Sequence, residues 1–156
     1  MTSFSITFRA SHFDTLISHL VREDRCERAA YILCSKNIIK SDPWDLTPHE
    51  KLLSYEVIPV ANEEVITSSP SQITWRTDSF VQALKKAHKN NLIVAIAHSH
   101  PLGPCAFSNV DDDNEPDLVH LAINRNGPGT KLASILFSSD SRVIGRVWNS
   151  PNDQKP

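Results

Sequence analysis

At 156 residues, 40% apolar and 22% charged, the chain has the make-up of one globular domain, too short for two ordinary cores and unlike a disordered tail or a membrane span. Its formal net charge of −2 gives no broad positive field, so no nucleic-acid partner is expected. The start, Met1 to Ala10, lacks a basic-then-apolar leader, and no apolar run of about 18 residues occurs, which predicts a cytoplasmic protein with no membrane partner.

In chain order, Phe4 to Phe8 alternates apolar and polar residues as a half-buried first strand does. Ser11 with Asp14 three positions on forms a capping-box-like start, and Phe13, Leu16, Ile17, Leu20 and Val21 recur at helical spacing. Glu27 to Ile39 is β-compatible, and after a Pro43 to Pro48 turn a further strand runs from Leu52 to Pro59 and pairs with it. Thr67 to Gln72 reads as a connector containing Pro and Ser. A second helix opens at Thr77, with Phe80, Val81, Leu84 and Ala87 on one side and Lys85, Lys86 and Lys89 as a solvated face.

Leu92 to Ala97 is a continuous apolar run of strand length, buried on both faces, that leads directly into His98. Pro116 is awkward inside a helix begun at Ser108, so a short turn is expected first and the longer helix from Asn114 to an Asn126-Gly127 stop. Leu132 to Ser138 and Arg142 to Trp148 form a hairpin about Ser139-Asp140. The expected architecture is a mixed α/β (α+β) domain over residues 1–150, with a central, mostly antiparallel sheet flanked by helices, and a polar, disordered tail over 151–156. Cys26, Cys34 and Cys105 are odd in number and form no CxxC pair, which predicts reduced thiols and no cysteine-based zinc site.

The chemistry concentrates in His98-Ser99-His100-Pro101, followed after seven intervening residues by Ser108 and then by Asp111. Residues two apart on a strand project to one side, so His98 and His100 present two imidazoles to one point, and a chain reversal at Pro101 to Pro104 brings Asp111 to it. Two neutral imidazoles and a carboxylate suit Zn²⁺ and leave a fourth position open. A His-x-His pair alone carries little weight; its conjunction with Ser-x-x-Asp and the apolar strand ahead of it carries the reading. Ser108 also suits a helix N-cap, and Asp111 to Asp113 complement a helix N-terminus. His120, His12, His19, His49 and His88 receive no role.

This constellation resembles the JAMM metallopeptidases, the active branch of the JAB/MPN domain, whose pattern is an upstream Glu, His-Ser/Thr-His-Pro, a seven-residue gap and Ser-x-x-Asp. Gly103 and Phe107-Ser108, followed by Asp112-Asp113-Asn114-Glu115, look most like the compact prokaryotic JAB proteins. The resemblance spans residues 4–149 and implies a cytidine-deaminase-like architecture, although the His-x-Glu and Pro-Cys-x-x-Cys signature of the deaminases is absent. It implies one Zn²⁺ per chain on His98, His100 and Asp111, Glu27 as general base and acid, and Ser108 as donor to the oxyanion. Glu27 stands at the place of the family's glutamate, with Glu23 and Glu56 as alternatives; relatives carry glycines in the strand that follows, where this chain has Ala30.

The implied activity is deubiquitinase-like: cleavage of a peptide or isopeptide bond after the C-terminus of ubiquitin or a ubiquitin-like protein, beside activating or conjugating enzymes as partners. The substrate tail would add to a sheet edge near the metal. The competing expectations are a catalytically inactive MPN scaffold, and a hydrolase of this fold acting on another substrate.

Overall fold

The computed structural model describes residues 2–156. Strand β1 (Ser3–Thr7) turns Phe4 and Ile6 inward and leaves Ser3 and Thr7 exposed. Helix α1 (Ala10–Leu20) starts earlier than the Ser11/Asp14 pattern predicts: its N-cap is Arg9, and no side chain caps it. The start is set by tertiary contact instead, since the Arg9 N–H donates to the Ser54 hydroxyl at 2.9 Å while its carbonyl accepts from His12 and Phe13.

Strands β2 (Ala29–Ile39) and β3 (His49–Pro59) form a long antiparallel pair. The ladder begins two residues after Glu27, and β3 begins before Leu52 because β1 runs parallel to it from Ser3↔His49. The expected connector at Thr67 to Gln72 is instead the middle of a hairpin: β4 (Val65–Ser69) and β5 (Gln72–Trp75) form their own two-stranded sheet about Pro70-Ser71. Its strands are only five and four residues long, and Val65, Ile73 and Trp75 hold it against the core.

Helix α2 (Thr77–Lys89) buries Phe80, Ala83, Leu84 and Ala87, with Lys85, Lys86 and Lys89 exposed. Strand β6 (Ile93–His100) is buried almost throughout. Helix α3 (Asn109–Asn126) starts directly after Ser108 and runs through Pro116, overturning the expected turn before Asn114. An interior proline costs a helix about 3 kcal/mol. Contacts that support the helix there are the Ser108/Asp111 capping box and Arg146, which grips Asp112 at 2.5 Å and Glu115 at 2.8 Å, both ahead of the proline.

Gly127, at φ 98, closes α3 in a conformation that favours glycine. Strands β7 (Leu132–Ser138) and β8 (Val143–Ser150) form the expected hairpin, and β9 (Asp153–Lys155) pairs with β8 where a disordered tail is predicted, covering an otherwise open edge.

The main sheet has the order β1-β3-β2-β6-β7-β8-β9. Two of its six pairings, β1/β3 and β6/β7, are parallel and the other four antiparallel, as a mostly antiparallel mixed sheet requires. Alternation along the central strands divides two cores. Tyr31, Leu33, Val94 and Ile96 face α2 and α3, whereas Ile32, Cys34, Ala95 and Ala97 face α1. Burial pushes the Cys34 thiol up to about 12, so it stays neutral. No helix among the described residues is long and apolar enough to cross a membrane.

Candidate metal centre

The two-residue period of β6 carries the Val94 and Ile96 face on to His98 and His100, so both imidazoles meet α3; Ser99 points to the α1 side. Both histidines are buried. Asp111 reaches them from the third position of α3, where the capping box fixes it. Its N–H donates to the Ser108 hydroxyl at 3.2 Å, and its Oδ2 accepts from the Ser108 N–H at 2.7 Å and the Ser108 hydroxyl at 2.8 Å. The free Oδ1 then stands 3.3 Å from His98 Nε2, and Oδ2 lies 3.7 Å from His100 Nε2.

One ligand atom from each of His98, His100 and Asp111 lies within 4.8 Å of the others. Four ligands about 2.0–2.1 Å from a tetrahedral zinc stand about 3.3 Å apart, so the His98–Asp111 separation already matches and the third ligand needs a small inward shift. His98 Nε2 is buried without a hydrogen-bond partner, an orphaned group of the kind a cation satisfies. The carbonyls of Pro104 and Ala106 contact the His100 ring from the 101–107 loop. With its proton on Nδ1, facing those carbonyls, the ring would leave Nε2 free as a ligand. The donor set therefore fits a divalent zinc ion.

Glu27 comes to the same place. It is buried, its Oε1 lies 3.9 Å from His100 Nε2, and it lines a cleft of about 140 Å³ together with His98, Ser108, Asp111 and the β5 residues Ile73 and Trp75. Of the alternatives, Glu23 is exposed and Glu56 is engaged by Lys86 at 2.5 Å. Burial raises the Glu27 carboxyl to about 7; His98 opposes the rise and Asp111 adds to it. Burial would lift Asp111 as well, but the His98 imidazole 3.3 Å away and the hydrogen bonds from Ser108 outweigh it and hold that carboxyl well below the usual range. Burial and the neighbouring His98 lower His100, which favours the neutral, ligating imidazole.

The raised carboxyl predicts a stability effect in the metal-free protein. Between the ordinary 4.5 and about 7 the folded state binds more protons than the unfolded chain. Stability is therefore full below about pH 4.5 and falls by about 3 kcal/mol as pH rises through 7. Urea unfolding in chelator should show Glu27→Gln more stable than wild type at pH 8 and equal to it at pH 4. A constant difference at both pH values would refute the assignment.

Sequence reasoning missed a buried network behind the ligands. Glu115 Oε2 accepts from Arg146 Nε at 2.8 Å and from Trp148 Nε1 at 2.5 Å, and the Arg146 guanidinium lies 3.9 Å from the Phe107 ring centroid. Phe107 in turn packs against His98. The available signal was spacing: Glu115 is four residues after Asp111 and shares its helix face. His12 and His49 bond serine hydroxyls, His19 bonds the Ala29 carbonyl and His120 is exposed, so none of these joins the cluster.

No curated protein matches the chain. Residues 9–148 match the family described as prokaryotic homologs of the JAB domain, which agrees with the sheet order, the strand-borne histidine pair and the capped aspartate. The chain therefore belongs to the prokaryotic JAB-domain family.

Proposed function

We propose that this JAB-domain chain is a metallopeptidase with one zinc per chain, cutting a peptide or isopeptide bond after the C-terminus of a ubiquitin-like protein. The observation that carries the reading is the convergence of His98, His100 and Asp111 beside the buried Glu27 at one end of a narrow cleft. When bound, zinc supplies a Lewis acid for the scissile carbonyl and lowers the pKa of a water toward about 7. Glu27, whose Oε1 lies 3.9 Å from His100 Nε2, would accept the proton of the attacking water and return it to the leaving amine. The Ser108 hydroxyl, which rests on Asp111 Oδ2 at 2.8 Å, turns to the developing oxyanion, a contact worth about 2.7–4 kcal/mol.

The cleft supports an extended substrate with small side chains. Its wall is the two-stranded β4–β5 sheet, whose free edge offers backbone groups for strand addition, and its volume of about 140 Å³ leaves room for a glycine-ended tail and little more. Activating and conjugating enzymes of the same system are the proposed partners. The free thiols of Cys26, Cys34 and Cys105 support a cytoplasmic setting.

The test is a panel of ubiquitin-like precursor fusions, isopeptide-linked conjugates and small amides. Zinc-loaded protein should cleave a fusion or conjugate after the terminal residue of the ubiquitin-like part, lose activity to chelator and regain it with zinc. Turnover of small amides alone would place the enzyme in another substrate class, and a zinc-free, inert protein would return it to the scaffold class.

A further inference from the structure

Glu27 lies outside the regular ladder: β2 pairs with β6 only from Ala29↔His98 onward. Its backbone is held by other means. The Glu27 N–H donates to the Ser69 carbonyl at 2.8 Å, and the Ser68 hydroxyl donates to the Glu27 carbonyl at 2.8 Å. On the far side Ser99 of β6 grips Arg28 twice, its hydroxyl accepting from the Arg28 N–H and its own N–H donating to the Arg28 carbonyl, both at 3.0 Å. The fixed clamp thus comes from the ligand-bearing strand, and the other clamp comes from β4.

The hairpin that provides the second clamp is also the wall of the cleft. Ser68 stands opposite Ile73 and Ser69 opposite Gln72, and both Ile73 and Gln72 line the cleft with His98 and Asp111. Its base is anchored where Trp75 Nε1 donates to the buried Tyr31 hydroxyl at 2.6 Å and the Arg76 N–H donates to the Glu64 carbonyl at 2.8 Å. A strand laid along β5 therefore meets Ile73 and Gln72, the ladder partners of the two β4 residues that hold Glu27.

We propose that Ser68 is a positioning residue that couples the β4–β5 hairpin to Glu27, so that the element contacting the substrate also sets the carboxylate beside His100. The proposal rests on the peptidase reading. It assigns Ser68 no contact with substrate or metal; its action runs through the Glu27 backbone.

Ser68→Ala and Ser68→Thr test it, each in the wild-type and Glu27→Gln backgrounds. Ser68→Ala should keep its zinc and its KM, lose about tenfold in kcat and recover with Ser68→Thr, in line with the loss of one hydrogen bond to a reacting group's support. In the Glu27→Gln background it should cost nothing further, because the group it positions no longer acts. Amide hydrogen exchange at Glu27 and Arg28 should speed up about tenfold in Ser68→Ala, a readout independent of catalysis. Unchanged kcat, an equal loss in both backgrounds, or unaltered exchange would each overturn the coupling. A wild-type protein that cleaves nothing would defeat the peptidase reading alone, and the exchange result would still decide whether Ser68 clamps Glu27.

Discussion

Glu27→Gln is expected to lower turnover about 10³-fold while the protein still binds one zinc per chain. The amide has nearly the shape of the carboxylate, so the packing of this buried side chain survives, but it cannot take a proton. General acid–base groups contribute about 10²–10⁴ in rate, and Glu27 is the one carboxylate of the cleft free for that work: Asp111 is bonded to Ser108 and set toward the histidines, and Glu115 is consumed by Arg146 and Trp148. Because Glu27 lies outside the His98, His100 and Asp111 set, its replacement should leave metal content unchanged. Steady-state rates on a cleavable fusion, read beside elemental analysis, check both halves. Full activity would remove Glu27 from the mechanism, and zinc loss would make it a ligand.

The metal triad is legible in the chain because regular geometry imposes its spacing. A strand puts residues two apart on one side, and a capping box puts the third helical residue back over the cap, so His98, His100 and Asp111 announce themselves without tertiary information. Glu27 has no such signature. It sits in a loop, reaches the cleft through contacts with Ser68 and Ser69 some forty positions later, and becomes visible only through family resemblance. The same distinction governs the fold. Strands and helices with a buried face appear near their expected bounds, α3 excepted, whereas β4–β5, interrupted by Pro70-Ser71, is held in place where Trp75 bonds Tyr31.

The expected short turn ahead of a helix from Asn114 fails for a related reason. Helix propensity is local, but Arg146 arrives from β8 to hold Asp112 and Glu115 just ahead of the proline, contacts that no local pattern encodes. Buried polar networks of this kind join residues about thirty positions apart, beyond the reach of any periodic pattern. They also explain why α3 begins in the register that presents Asp111 to the metal ligands: the helix is pinned at its first turn by Ser108 and one turn later by Arg146.

His98→Ala should weaken zinc binding by about two to three orders of magnitude. In four-ligand structural sites about 10–16 kcal/mol of binding free energy divides to roughly 2.5–4 kcal/mol per ligand, so removing one of three protein ligands should weaken zinc by about 10²–10³-fold. The effect should exceed that at any other histidine on this helix-facing side. His98 carries the orphaned Nε2 and the 3.3 Å approach to Asp111, whereas His120→Ala, on the exposed side of α3, should bind zinc as wild type does. Zinc should raise the melting temperature of the wild-type and His120→Ala proteins well above the rise it gives His98→Ala, since a ligand stabilises only the state that binds it. Far-UV circular dichroism separates metal loss from unfolding, and His100→Ala provides a second route should His98→Ala fold poorly. Wild-type zinc affinity in both His98→Ala and His100→Ala would mean that the cluster is a packed histidine pair and that any metal sits elsewhere.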